Sequence, residues 1–481
     1  MTESFDLIIR NARIVTPSGV VVGDLATLDG QIAAIGQFAG TAVQEVDASG
    51  RYVMPGGVDP HCHIEQMSGM GVWNADTFET ATKSAAMGGT TSVISFAAQQ
   101  QGEPLRQTIA NYAARAARGA MIDHAFHITV TDVAVPEFDR DLADLICAGH
   151  RSIKVFTTYN IKLSDRAILD LMVQARRSGA LVCVHAENDD LIGWTRDGLI
   201  AAGLTAPHYH PVSHPRMAEI DSVERMIRYA EFLDQPVMLF HISTTEAVDA
   251  IARARGRGVP VWAETCPHYL FMTGDVIEQG APEGGKWMCS PPQRTTDDQT
   301  ALWAALAAGD LQVVSSDHAP YRYDETGKLS NGPDAGFHQI ANGLPGLETR
   351  LPLLFDAMVA NDGLGPMAFA QMTASAPAAL YGLANKGQIV RGMDADLVIW
   401  DDTRSTTFSE NDLHDNVGYN PWVGRTITGW PSHVFLRGQL LVENGNFYGI
   451  PGSGRWIDRP QIGTPKTGKP ALEAAVLLDR S

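Results

Sequence analysis

Residues 52–63 read Tyr52-Val53-Met54-Pro55-Gly56-Gly57-Val58-Asp59-Pro60-His61-Cys62-His63: an apolar run, a glycine pair, then two histidines one residue apart. On an extended strand, residues i and i+2 project to the same face. His61 and His63 therefore reach one point, and Cys62 packs on the opposite side. A lone histidine at an apolar strand end more often satisfies a hydrogen bond in a core. Two at this spacing, behind Asp59, point to a metal ion.

The same ending recurs down the chain. Ala180 to Val184 runs into His185, Pro236 to Phe240 into His241, and Leu311 to Ser316 into Asp317. Lys154 stands inside the apolar run Ile153-Lys154-Val155-Phe156. Further strands are predicted at Val53-Met54 with Val58, Thr90 to Phe96, His124 to Val130, Ser152 to Thr158 and Val259 to Glu264. Helices are predicted over 76–87, 107–120, 165–178, 217–233, 245–257 and 296–308. Eight strands with helices between them match a closed (β/α)₈ TIM-like barrel, with an open doubly wound sheet as the alternative. Polar residues at the C-terminal end of strand after strand suit a ring of loops over one barrel mouth. No glycine-rich dinucleotide or phosphate loop is present; Gly56-Gly57 and Gly88-Gly89 lack its spacing.

Both ends of the chain are strand-rich. Phe5 to Arg10, Ala12 to Thr16 and two strands split at Asp29-Gly30 are too little chain for a core of their own. Matching material lies at Gly387 to Trp400 and Ser432 to Gly445. A small β-sandwich domain formed by both termini is expected. Its parts are residues 1–55 and 385–455, around a catalytic barrel at 56–384, with a polar tail at 456–481. The tail reads as extended, either disordered or packed in a groove on a neighbouring subunit with Trp456, Ile457 and the apolar residues 471–478 as anchors.

Net charge is -19 over 481 residues, a surface that repels nucleic acid and anionic membranes. Apolar residues make up 44% of the chain, and five scattered cysteines form no disulfide framework. The N-terminal residues have no signal-peptide pattern, and no apolar run is long enough to span a bilayer. A cytoplasmic protein with neither nucleic-acid nor membrane partners is expected.

The chemistry follows from the donors. His61, His63, His185, His241 and Asp317 exceed what one tetrahedral zinc takes. They divide into His61, His63 and Asp317 around one ion and His185 with His241 around a second. Two cations lower the pKa of a shared water and polarise a carbonyl, which suits hydrolysis of a carbonyl–nitrogen bond. Asp317 offers one oxygen to a metal and the other to a water proton; its alternative is a cap on the following segment. A buried Lys154 is costly unpaired. Either a carboxylate lies nearby, or the neutral amine has reacted with carbon dioxide to give a carbamate able to bridge two cations.

With these residues laid out, the chain resembles the dihydropyrimidinase and D-hydantoinase family of cyclic amidohydrolases. The matching segments are Pro55 to His63, Ile153 to Tyr159, Val184 to Asn188, Glu264 to Leu270, Ser315 to His318, Asn342 to Glu348 and Lys386 to Asp401. The resemblance spans about residues 5 to 450. It implies a carbamylated Lys154 (N6-carboxylysine) bridging two divalent metals, usually zinc, with Asp317 as both ligand and proton shuttle. It also implies that Tyr159 stabilises the oxyanion, and that Ser290 and Asn342 hold the substrate ring through their main chain, so that their side chains matter less. It implies a homotetramer acting on a small cyclic ureide. Dihydroorotase is disfavoured: no arginine follows the paired histidines, and Glu65 would repel a substrate carboxylate. The apolar loop around Met67, Met70 and Trp73 suits a ring 5-substituent, or equally packing against the next helix. The alternatives are an allantoinase or other cyclic-ureide hydrolase, and a non-catalytic structural relative.

Overall fold

The computed structural model describes residues 3–280, 282–463 and 467–468. The chain begins with five strands of an accessory sheet, β1 (Glu3–Thr16), β2 (Gly19–Leu28), β3 (Gln31–Gly36), β4 (Gly40–Asp47) and β5 (Tyr52–Pro55). Eight barrel strands follow: β6 (Gly57–Cys62), β7 (Thr90–Ala98), β8 (Asp123–Thr129), β9 (Ser152–Phe156), β10 (Leu181–His185), β11 (Val237–Leu239), β12 (Val261–Thr265) and β13 (Val313–Val314). The accessory sheet then resumes with β14 (Leu397–Thr407), β15 (Thr426–Leu436), β16 (Gln439–Glu443) and β17 (Asn446–Phe447).

β6 to β13 lie side by side in chain order, every pair parallel. The ring is closed by a parallel bridge between Cys62 and His318, with His63 N donating to His318 O at 2.7 Å. Alternation along the strands sorts the two faces. Ile94, Phe96, Ala125, Leu181, Cys183, Met238 and Phe240 fill the interior. Val93, Phe126, Ile128, Ile153, Val155, Val182 and Val184 pack outward in the larger core that includes the helices. Both ends of the helix Asp165–Ser178 are set by sequence: the Ser164 side chain accepts from Ala167 N, and Gly179 closes it at φ +73. The helix Thr296–Ala308 starts on a reciprocal capping box between Thr295 and Asp298.

The nine accessory strands form one hydrogen-bonded sheet in which β5, from the N-terminal part, pairs with β14, from the C-terminal part. Lys386 pins this unit to the barrel: its Nζ lies 2.7 Å from Asp123 on β8 and 2.8 Å from Asp396.

Several expectations need correction. Val53 and Met54 belong to the accessory sheet, not the barrel. The chain crosses over at Gly56, where a Cβ would lie 2.2 Å from Thr91 Oγ1. The two predicted strands at 5–10 and 12–16 are one strand, bulged at Asn11, which takes φ 55. Trp456, Ile457 and Arg459 pack on the chain's own barrel. Ile457 N donates to His124 O at 2.8 Å, and the Trp456 ring lies 5.0 Å from that of Phe126. Arg459 is fully buried and donates to Gly149 O, Ser152 Oγ and Phe126 O at 2.6–3.2 Å. The anchors at 471–478 lie outside the described residues. Among the described residues, no helix is long and apolar enough to cross a membrane.

Candidate active site

The barrel mouth is where the strands end, and the sequence places a polar side chain at most of those ends. His61 closes the buried run of β6, and Asp317 follows β13. His61 Nε2 lies 3.0 Å and His63 Nε2 3.5 Å from Asp317 Oδ1. Donor atoms of these three residues converge within 4.8 Å, a geometry suited to one metal ion. Asp317 takes φ 47, a left-handed conformation that disfavours a non-glycine residue and is held by its surroundings.

Each ring is oriented from behind. Glu264 Oε1, at the end of β12, bonds His61 Nδ1, so the opposite nitrogen faces Asp317. The Gln66 amide lies 2.7 Å from His63 Nδ1. Such outer contacts hold a ligand's tautomer and direction. The local field calls for positive charge. Burial opposes the His61 imidazolium, but Asp317 and Glu264 outweigh it and raise the pKa to about 9. Burial alone would raise the Asp317 carboxyl; His61 reverses that and holds it well below the usual carboxylate range. His63, dominated by burial, falls to about 4.

His185 and His241 form the second cluster. His241 Nε2 and His185 Nδ1 are 2.9 Å apart. Two imidazole nitrogens on one tetrahedral zinc at ~2.0–2.1 Å would stand roughly 3.3 Å apart, so a small outward shift admits an ion. His185 Nε2 lies 2.8 Å from Glu187 Oε2, which also accepts from Ser290 Oγ at 2.6 Å. Burial works against the Glu187 anion, yet His185, His214 and Ser290 pull its pKa down to about 2.

Lys154 rises from the interior face of β9. Its Nζ sits 3.9 Å from the centre of the Phe240 ring and 4.9 Å from that of Phe156. Burial pushes its pKa down to about 7, so the neutral, nucleophilic amine is accessible near neutral pH.

These groups open into a cavity of about 560 Å³ that Tyr159, Ser290, Asn342, Met67 and Met70 also line. Tyr159 stands at φ 69 with its ring 5.3 Å from His185, and burial raises its phenol. Lys154 is the one lysine or arginine among the described residues lining the cavity. Trp73 turns away, beneath the Arg115 guanidinium at 5.3 Å. Glu65 does not line the cavity. Its carboxylate accepts from Phe78 N at 3.2 Å, at the start of the helix Phe78–Met87, rather than facing the cavity as expected. The Ser290 hydroxyl is bound into the Glu187 network, which leaves its main chain to face the cavity. Sequence reasoning missed Glu187 and Glu264 as orienting groups. The available signal was a glutamate at, or two residues beyond, the mouth end of a ligand-bearing or neighbouring strand.

Comparison with known proteins is consistent throughout. The family model described as "Amidohydrolase family" matches residues 52–441. A D-hydantoinase from Rhizobium radiobacter is 39% identical over 461 residues, covering 94% of this chain and 99% of that protein. The crystal structure of a dihydropyrimidinase from Brevibacillus agri superposes with a TM-score of 0.90 at 36% identity, covering 95% of this chain and 99% of that one. An L-hydantoinase (dihydropyrimidinase) from Arthrobacter aurescens superposes at 0.85 with 26% identity, covering 95% and 100%.

Proposed function

The chain belongs to the amidohydrolase family, in its dihydropyrimidinase and D-hydantoinase branch, and from that premise we propose that it opens 5,6-dihydropyrimidines or 5-substituted hydantoins to N-carbamoyl amino acids. One observation supports this reading above the others: the His61, His63 and Asp317 donors converge in a cavity that no arginine among the described residues lines, which suits a small ring without a carboxylate.

His61, His63 and Asp317 would hold one divalent ion, and His185 with His241 a second. A histidine–carboxylate donor set favours zinc. Lys154, as its carbamate, would carry an anion with two oxygens to both. The amine adds to carbon dioxide and loses one proton, and its lowered pKa supports that step. Bound divalent ions supply Lewis acidity toward the ring carbonyl and a nucleophile from water at neutral pH.

The residues of the chain do the rest. Main-chain groups of Ser290 and Asn342 hold the ring amide edge. Asp317 takes the proton of the attacking water and returns it to the departing ring nitrogen, so the carbon–nitrogen bond breaks without a free amide anion. The Tyr159 hydroxyl donates to the oxygen that gains charge. Met67 and Met70 cover the 5-substituent. No organic cofactor is used. The same reading keeps the β domain at 1–55 and 385–455 around the catalytic barrel 56–384. It describes a cytoplasmic homotetramer that binds neither nucleic acid nor membrane.

The test is a side-by-side assay on 5,6-dihydrouracil, hydantoin, 5-monosubstituted hydantoins, allantoin and dihydroorotate. Turnover of dihydrouracil or a 5-monosubstituted hydantoin is expected, with little on dihydroorotate, because no arginine among the described residues lines the cavity. Preferential turnover of dihydroorotate overturns the reading, and allantoin far ahead of the other rings replaces it with the allantoinase alternative.

A further inference from the structure

Lys328 is fully buried, and its Nζ donates to the carbonyl oxygens of Gly285 at 3.0 Å and Met288 at 3.1 Å. No carboxylate among the described residues pairs with it, and burial pushes its pKa down to about 7. Taking an ammonium out of water without a counter-ion is costly. An unbranched apolar side chain would fill the same space without that cost, so what distinguishes lysine here is the pair of carbonyls it binds.

Those carbonyls lie beside the cavity. Met288 O also accepts from Gly343 N at 2.9 Å, and the next carbonyl, Cys289 O, accepts from His210 Nε2 at 2.7 Å. Met288 O is thus the point where the segment leading to Ser290 is joined to the segment carrying Asn342. Cys289, Ser290, Asn342 and Gly343 all line the same cavity. Both partners of the clamp are rigid. Gly343 sits at φ +150, where a Cβ would lie 2.4 Å from Ala319 O. Lys328 N donates to Arg322 O at 2.7 Å, and a Cβ on the preceding Gly327 would lie 2.1 Å from that same oxygen.

We propose that Lys328 is a positioning residue that sets the spacing between the backbone segments 288–290 and 342–343, across which the ring amide is held. This rests on the reading of Ser290 and Asn342 as main-chain substrate contacts. An amide edge presents one N–H and one carbonyl oxygen, and meeting both at hydrogen-bond distance requires the two segments to be in register. Lys328 touches neither metal ligand nor Asp317, so its loss weakens ground-state and transition-state binding together and leaves the chemical step in place.

The experiment uses full-length, metal-loaded enzyme with Lys328→Met, and with Lys328→Gln, which retains a donor. Steady-state kinetics on 5,6-dihydrouracil and hydantoin are read alongside metal content and thermal midpoint. Lys328→Met is expected to raise KM about tenfold, the equivalent of one weakened hydrogen bond, with kcat within about threefold and metal content unchanged. Lys328→Gln is expected to recover part of the KM. An unchanged KM, a fall in kcat at constant KM, or loss of metal overturns the assignment. If Lys328→Met does not fold, Lys328→Gln decides by the same criteria. If neither folds, Lys328 is a core element and the assignment fails. A wild-type enzyme inactive on both rings defeats the reading of the reaction itself, a result separate from an active wild type whose Lys328→Met variant keeps its KM.

Discussion

Ser290 donates its hydroxyl to Glu187 Oε2 across 2.6 Å, and the same oxygen lies 2.8 Å from His185 Nε2. One buried carboxylate therefore joins a metal-ligand candidate to the loop assigned to the substrate ring. Removing the hydroxyl leaves the anion short of a donor, a charged hydrogen bond of about 1.5–3 kcal/mol. Ser290→Ala is expected to lower kcat/KM by about tenfold or more on that scale. An unchanged kcat/KM would show that only the main chain of this residue matters.

Glu264→Gln keeps the shape of the side chain but weakens its hold on His61 Nδ1. Loss of an outer partner of this kind typically costs ~10–100-fold in metal affinity. Competition against a chelator should show that loss, with the fold intact by circular dichroism. Wild-type affinity in the variant would remove Glu264 from the centre.

Asp317→Asn retains a ligand oxygen and loses the proton acceptor. General acid–base roles are worth ~10²–10⁴-fold, and turnover is expected to fall on that scale. Elemental analysis of the same sample separates this from metal loss. Near-normal turnover would take Asp317 out of the chemistry.

Two divalent ions per chain are expected in the purified protein, with chelation abolishing hydrolysis. Lys154→Ala is expected to lose both metal and activity, and a short carboxylic acid that fills the gap should restore part of each. Full activity in Lys154→Ala, or active protein without metal, contradicts the bridged centre.

Removing residues 456–481 deletes Arg459 and its buried bonds to Gly149, Ser152 and Phe126. The thermal midpoint is expected to fall by several degrees. Light scattering of the intact protein should give about four times the 51.8 kDa chain mass, on the family's pattern. A truncated protein with unchanged stability would show that the tail is dispensable, and a dominant monomer at micromolar concentration would exclude the tetramer.

Local signals were legible where one residue decides the outcome. Ser164 and Gly179 mark both ends of Asp165–Ser178, and the continuous apolar run ending in His185 marks β10. Long-range choices were not. Nothing local tells Val53-Met54 that β1 and β14 are its partners, because that pairing depends on strands far away in the chain. The bulge at Asn11 is a single left-handed residue inside an otherwise continuous strand, and in sequence it reads as a break. Glu65 was misread for a related reason. At φ 48 the backbone turns its side chain toward the helix that begins at Phe78, reversing the direction an extended trace implies. Glu187 and Glu264 were visible as residues, but their partners come from other strands.

The pairing of β5 with β14 has a consequence for how the molecule is made. Pro55 faces Leu397, which leaves the ribosome roughly 340 residues later, a wait of about 20–70 s at ~5–20 residues per second. During that interval the early strands present unpaired backbone while the barrel is assembled beside them. The nascent chain is therefore expected to depend on chaperones that shield strand edges. The accessory sheet is also the part of the protein whose completion reports that translation has passed β14.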